Sequence, residues 1–133
     1  MSIQRFNILP NGLNLLPQPG QPENGWWWNP AESGRGLFLE WQGDRLDIAG
    51  YMYDDSGNPI WYLTENLTPS TNLQQFSSSW WQFANGMTLS GPWRQHQQIS
   101  SNVASVTIQF SGAENAIMTL PNGRTTALTR HRF

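Results

Sequence analysis

The stretch Leu37-Phe38-Leu39-Glu40-Trp41-Gln42-Gly43-Asp44-Arg45-Leu46-Asp47-Ile48-Ala49-Gly50-Tyr51-Met52-Tyr53-Asp54-Asp55-Ser56-Gly57-Asn58-Pro59-Ile60-Trp61-Tyr62 decides the fold. Leu37 to Gln42 is a short apolar run closed by Gly43-Asp44. Leu46 to Tyr53 follows at once, with Ile48, Gly50 and Met52 alternating against Asp47, Ala49, Tyr51 and Tyr53. A period of two marks a strand with unlike faces, whereas a helix repeats every three or four residues. Two such runs joined by a turn dipeptide make a hairpin. Asp54 to Pro59 is a second turn, because Gly and Asn accept positive φ and Pro59 fixes its own. Ile60 to Asn66 then forms a third strand, and the three make a meander.

The same rhythm continues toward the C-terminus. A looser stretch, Leu67 to Ser79, carries Pro69 and a Ser/Thr/Asn/Gln cluster. After it, Trp80 to Phe83, Met87 to Gln95, Val103 to Phe110, Ala116 to Leu120 and Thr125 to Phe133 read as five more strands. Asn85-Gly86, Ser111-Gly112 and Pro121-Asn122-Gly123 mark turns between most of them. Toward the N-terminus, Pro10, Pro17, Pro19 and Pro22 with Gly12, Gly20 and Gly25 forbid a helix or a central strand through residues 1–25. That segment reads as a linker or edge, with Leu13-Asn14-Leu15 as a short strand along the body; residues 26–133 read as one domain. Helical signals are poor throughout. The expected fold is all-β, an antiparallel up-and-down meander closing into a roughly eight-stranded barrel, with a β-sandwich as the alternative.

Composition narrows the function. The 133 residues contain seven Arg, no Lys and nine acids, a charged fraction of 12% against about 25% in ordinary domains. A net charge of −2 lacks the basic field that nucleic-acid binding needs. With no Cys there is no disulfide, thiolate metal site or cysteine nucleophile, and His96 and His131 alone cannot build a His-rich metal centre. No cofactor and no metal are expected. No apolar run is long enough to span a membrane, and Met1-Ser2-Ile3-Gln4-Arg5 has neither the basic n-region nor the apolar core of a signal peptide. Eight Trp, three Tyr and six Phe supply large buriable area with polar handles.

The most unusual run is Gly25-Trp26-Trp27-Trp28-Asn29-Pro30-Ala31-Glu32-Ser33-Gly34-Arg35-Gly36. On an extended backbone Trp27 cannot share a face with Trp26 and Trp28. Two readings stay open. In one, a ring faces outward as a stacking platform for a sugar or another flat ligand; in the other, Trp26 and Trp28 plug the barrel's end while Trp27 covers a seam. Glu32 and Arg35 pair across their loop or hold a ligand's polar edge. Glu40 shares a face with Phe38 and Gln42, so it is either a buried carboxylate that needs a partner or a surface acid. Tyr51 and Tyr53 share a face with Asp47. Two carboxylates drawn from Glu32, Glu40, Asp54, Asp55 and Glu65 would permit glycoside hydrolysis, though the sequence sets no separation between them. Ser33 lacks a nucleophile-elbow context, and Asp54 to Asn58 lacks the spacing and terminal Glu of an EF-hand loop.

Three of these stretches, Gly25 to Gly36, Leu39 to Leu46 and Tyr53 to Tyr62, resemble the signature of a bacterial Trp-rich β-domain seen in exported proteins, for which no activity or cofactor is established. The resemblance covers about residues 25 to 63, and it implies a periplasmic, cell-surface or secreted setting. The sequential meander is also similar in architecture to streptavidin and lipocalin barrels, a likeness that does not set function. The expected function is non-enzymatic: a small ligand or glycan held by Trp26, Trp27, Trp28, Glu32, Arg35, Glu40, Tyr51, Tyr53 and Trp61. The alternative is a structural or protein-interaction module without a small-molecule ligand.

Overall fold

The computed structural model describes residues 3–64, 74–101 and 103–133; Glu65 and the expected strand end at Asn66 lie outside them. The strands are β1 (Gly25–Trp28), β2 (Gly36–Gln42), β3 (Arg45–Tyr53), β4 (Pro59–Leu63), β5 (Gln75–Ser79), β6 (Gln82–Ala84), β7 (Gln97–Ser100), β8 (Ser105–Phe110), β9 (Asn115–Thr119) and β10 (Thr125–Arg130). Eight of them form one antiparallel sheet in the order β4-β3-β2-β1-β10-β9-β8-β5, curled through 254° as a half-barrel. β6 and β7 make a small second sheet. No described residue is in an α-helix.

Alternation determines which side of each strand is buried. Leu37, Leu39, Trp41, Leu46 and Ile48 face inward and meet Val106, Ile108, Phe110, Met118 and Leu128 from the other half of the sheet. Each such side chain adds about 1.5–3 kcal/mol of transfer free energy on burial. Trp27 joins this core. Its ring lies 5.5 Å from Phe110, Trp41 lies 6.2 Å from the same ring, and the Trp27 indole N–H donates to the Glu23 carbonyl. This aromatic trio fills one end of the half-barrel.

The two halves of the sheet meet in the middle, where β1 pairs with β10 through Trp27 and Arg130 and through Trp28 and Thr129. Gly25 takes φ of 118°, a conformation that L side chains rarely adopt, and a Cβ there would lie 2.4 Å from the Arg130 guanidinium. At the outer seam the chain between β5 and β6 serves both edges. The Trp80 N–H donates to the Ala104 carbonyl, and Trp81 exchanges two backbone hydrogen bonds with Leu63 at the end of β4.

Residues before β1 lie against the sheet. The Gln42 amide, almost fully buried, accepts from the Ile8 N–H at 2.8 Å and donates to the Phe6 carbonyl at 2.7 Å. Arg5 pairs with Glu40 at 2.5 Å.

Three expected elements differ. Leu13-Asn14-Leu15 is not a strand: a 3-10 turn occupies Gly12–Asn14, entered through Asn11 at φ of 60°. Met87 to Gln95 is an irregular loop between β6 and β7. Gly91-Pro92 explains it, since Pro has no N–H to give a ladder and Gly weakens a strand interior. Conversely, Gln75–Ser79 is a strand although Phe76 is its one apolar residue, because that ring enters the core while the serines line β8.

An aromatic groove on the outer face

The face of β1 to β4 that points away from the core is also aromatic. Register aligns Trp28 with Gly36, Gly36 with Tyr51, and Tyr51 with Trp61. Cross-strand partners share a face, so these four positions form a row about 14 Å long at a spacing of about 4.8 Å per strand. Beside it lies Trp26, 5.6 Å from both Phe38 and Tyr51. In the middle of the row Gly36 carries no side chain, and a Cβ there would meet nothing within 4 Å. A gap therefore opens between the Trp28 and Tyr51 walls.

The tail after β10 closes one side. The His131 N–H donates to the Trp26 carbonyl at 2.7 Å, and the His131 ring packs edge-on to Trp28 at 5.1 Å and to Phe133 at 4.8 Å. On the other side the β1–β2 loop brings Gly34 against Tyr53. The result is a groove of about 890 Å³.

Of the residues nominated from sequence, Trp26, Trp28, Arg35, Tyr51, Tyr53 and Trp61 line this groove. Trp26, Tyr51 and Trp61 are 40%, 46% and 45% exposed. Trp27 contributes to its floor from the inner side; at 0% exposure its ring belongs to the core. Of the two readings of the triplet, the one in which Trp26 and Trp28 plug the barrel is overturned, since they face outward and Trp27 fills the interior. Glu32 and Glu40 are absent from the lining. Glu32 accepts from Arg35 at 2.5 Å and from the Thr126 hydroxyl at 2.9 Å, with Arg124 at 3.9 Å. Glu40 is on the outer face but bound to Arg5 and partly covered by the N-terminal segment.

The remaining acids are dispersed. The Asp54 carboxylate accepts from the Asn58 and Ser56 N–H groups of its own turn. The Asn58 contacts hold its pKa below the ordinary carboxylate range. Asp55 lies at one mouth of the half-barrel, on the inner side. Among the described residues no three His, Cys, Asp or Glu side chains gather as a metal site.

Comparison with protein-family models finds no match. Neither curated proteins nor solved structures show significant similarity to the chain. Its chemistry is therefore read from the groove. Among the described residues Arg35 is the one formal cation in the lining, and its charge is met by Glu32. What remains is a neutral trough of ring faces with tyrosine hydroxyls and an arginine edge, suited to a flat ligand with apolar faces and hydroxyl rims.

The sequence reading missed Gly36, His131 and Phe133. Gly36 could have been found by counting register outward from the Gly43-Asp44 turn. The tail could not, because it reaches Trp26 only through the β1–β10 pairing.

Proposed function

We propose that this chain is a non-enzymatic binding module that holds a glycan in the outer groove, with Trp26, Trp28, Tyr51 and Trp61 stacking on the C–H faces of sugar rings. Tyr53 and Arg35 orient hydroxyl groups at the rim. One observation carries this reading: the aromatic residues of three strands, β1, β3 and β4, converge on one groove with a vacant β2 position, Gly36, at its centre. Folding alone favours burying such rings, so a set kept half-exposed and aligned is the mark of a recognition surface. Binding rather than turnover is supported by the lining, in which the described residues place rings and a paired arginine but no carboxylate. The setting that accompanies this function is the bacterial periplasm, cell surface or exterior.

A protein-interaction role is favoured by a different region. The loop between β6 and β7 leaves Met87, Leu89 and Trp93 exposed, and Phe83 of β6 stacks on Trp61 at 5.7 Å and 10°. That arm joins the groove's edge to an apolar surface of its own.

The deciding experiment is tryptophan fluorescence with a thermal-shift readout across a panel of oligosaccharides. A saturable change that Trp61→Ala weakens at least about ten-fold establishes the glycan reading. Silence across the panel together with capture of a protein through the Met87–Trp93 loop establishes the alternative.

A further inference from the structure

The inner side of the same strands carries a second cavity, of about 700 Å³, at the end of the half-barrel opposite the Trp27, Trp41 and Phe110 trio. Its floor is the buried core surface of Leu37, Val106 and Met118, with Trp80 beside them, and Met52 and Leu120 form its walls. Met52 in the wall and Met118 in the floor let the cavity adapt to the shape of a guest. The lip differs in kind. Arg35 and Arg124 both line it and both converge on one oxygen of Glu32, at 2.5 and 3.9 Å. Two guanidinium groups thus share one carboxylate, and Arg124, 60% exposed, holds it only at long range. Asp55 also lines the cavity, so Glu32 and Asp55 balance Arg35 and Arg124 in formal charge, and what the lip offers an anion is the exposed, loosely held Arg124 guanidinium.

We infer that this mouth is a second ligand site, which shares Arg35 and Met52 with the outer groove but opens on the inner side of the sheet, for an amphiphile with an apolar body and a single anionic head. The body enters between Met52, Trp80 and Leu120, where it replaces water against an apolar floor, and the head meets Arg124 at the lip. Mouths of curled sheets are favoured places for such sites, and a volume of this size accommodates a molecule of ten or so heavy atoms with room to spare. An ionised head on an arginine adds ion pairing to the hydrogen bond, a gain that a neutral head, which can only accept from the guanidinium, and a cationic head, which is repelled, cannot make.

The test is calorimetric titration of the full chain with decanoate, decan-1-ol and decyltrimethylammonium, each below its aggregation concentration. Decanoate is expected to saturate one site and to bind at least ten-fold more tightly than the other two. Arg124→Gln should weaken decanoate about ten-fold and leave decan-1-ol unchanged. Leu120→Trp, which fills the mouth from a partly buried turn position, should abolish decanoate binding, its folding confirmed by an unchanged melting transition. Tyr51→Ala in the outer groove should have no effect. The inference is overturned if decanoate does not bind, if the cationic or neutral head binds as well, or if Tyr51→Ala and not Leu120→Trp removes the site. Should Leu120→Trp unfold the chain, Arg124→Gln alone decides between the charged lip and none.

Discussion

Trp27 and its two neighbours occupy one strand, carry the same side chain and do opposite work. Trp27 points into the half-barrel, fully buried against Phe110, while Trp26 and Trp28 stand on the outer wall of the groove. The difference is set by parity alone: one residue along an extended backbone exchanges core for surface. It shows that an abundance of tryptophan in a small chain divides between two faces, cohesion on the inner one and, under the proposed function, recognition on the outer one.

The comparison breaks most visibly if the two faces are exchanged in energy. Trp27→Ala should lower stability by about 3–5 kcal/mol, the range for truncating a buried large ring, whereas Trp26→Ala should cost less than about half of that. Chemical denaturation of both variants checks it, and equal losses would mean that the outer rings are structural. Next in size, Gln42→Ala removes the buried amide that holds Ile8 and Phe6 and leaves the Ile8 N–H without its partner. A loss of about 1–3 kcal/mol is expected, together with faster proteolysis before residue 25.

Gly36→Val sharpens the contrast from the other direction. The new side chain enters open space on an extended strand, so stability should shift by no more than about 0.5 kcal/mol. Oligosaccharide binding, read by fluorescence, should fall at least ten-fold because the gap is filled. The smallest effect concerns the β3–β4 turn. Asp54 has its pKa lowered by folding, chiefly through the Asn58 N–H. Its contribution is therefore complete above the unfolded value of about 3.9 and is lost as pH falls through the lower folded value. Asp54→Asn should therefore lower stability slightly at neutral pH and flatten the acid limb of the profile, with the difference from the parent vanishing below the folded value.

Much of this division was legible in the chain. Alternation from Leu37 to Tyr53 divided β2 and β3 into two faces, leaving open which of them is inner, and the same alternation placed Trp27 opposite Trp26 and Trp28 before any pairing was known. The turn at Asp54 to Pro59 was legible because its residues are few in kind and each has a conformational reason. Long-range facts were not. Nothing local in Thr125–Arg130 says that it lies beside β1, and Gln75–Ser79 is too polar to announce itself as a strand. The loop from Met87 to Gln95 misled through spaced apolar residues that turned out to face solvent, as Leu89 and Trp93 do. Site membership followed the same rule only in part: the aromatic residues on the meander were found, Gly36 beside them was missed, Glu32 and Glu40 were nominated but do not line the groove, and residues brought in by the far end of the chain were missed.

The order of strands has a consequence for how the molecule comes into being. β4-β3-β2-β1 and β10-β9-β8-β5 are joined at the centre by strands roughly a hundred residues apart in sequence. The first half can form its hairpins early, but one edge of β1 stays open until β10 is made. During synthesis Trp26, Trp27 and Trp28 therefore stand on a naked ladder of unpaired amides, and closure of that ladder is the slow, concentration-sensitive passage in which a second nascent chain competes with the chain's own last strand.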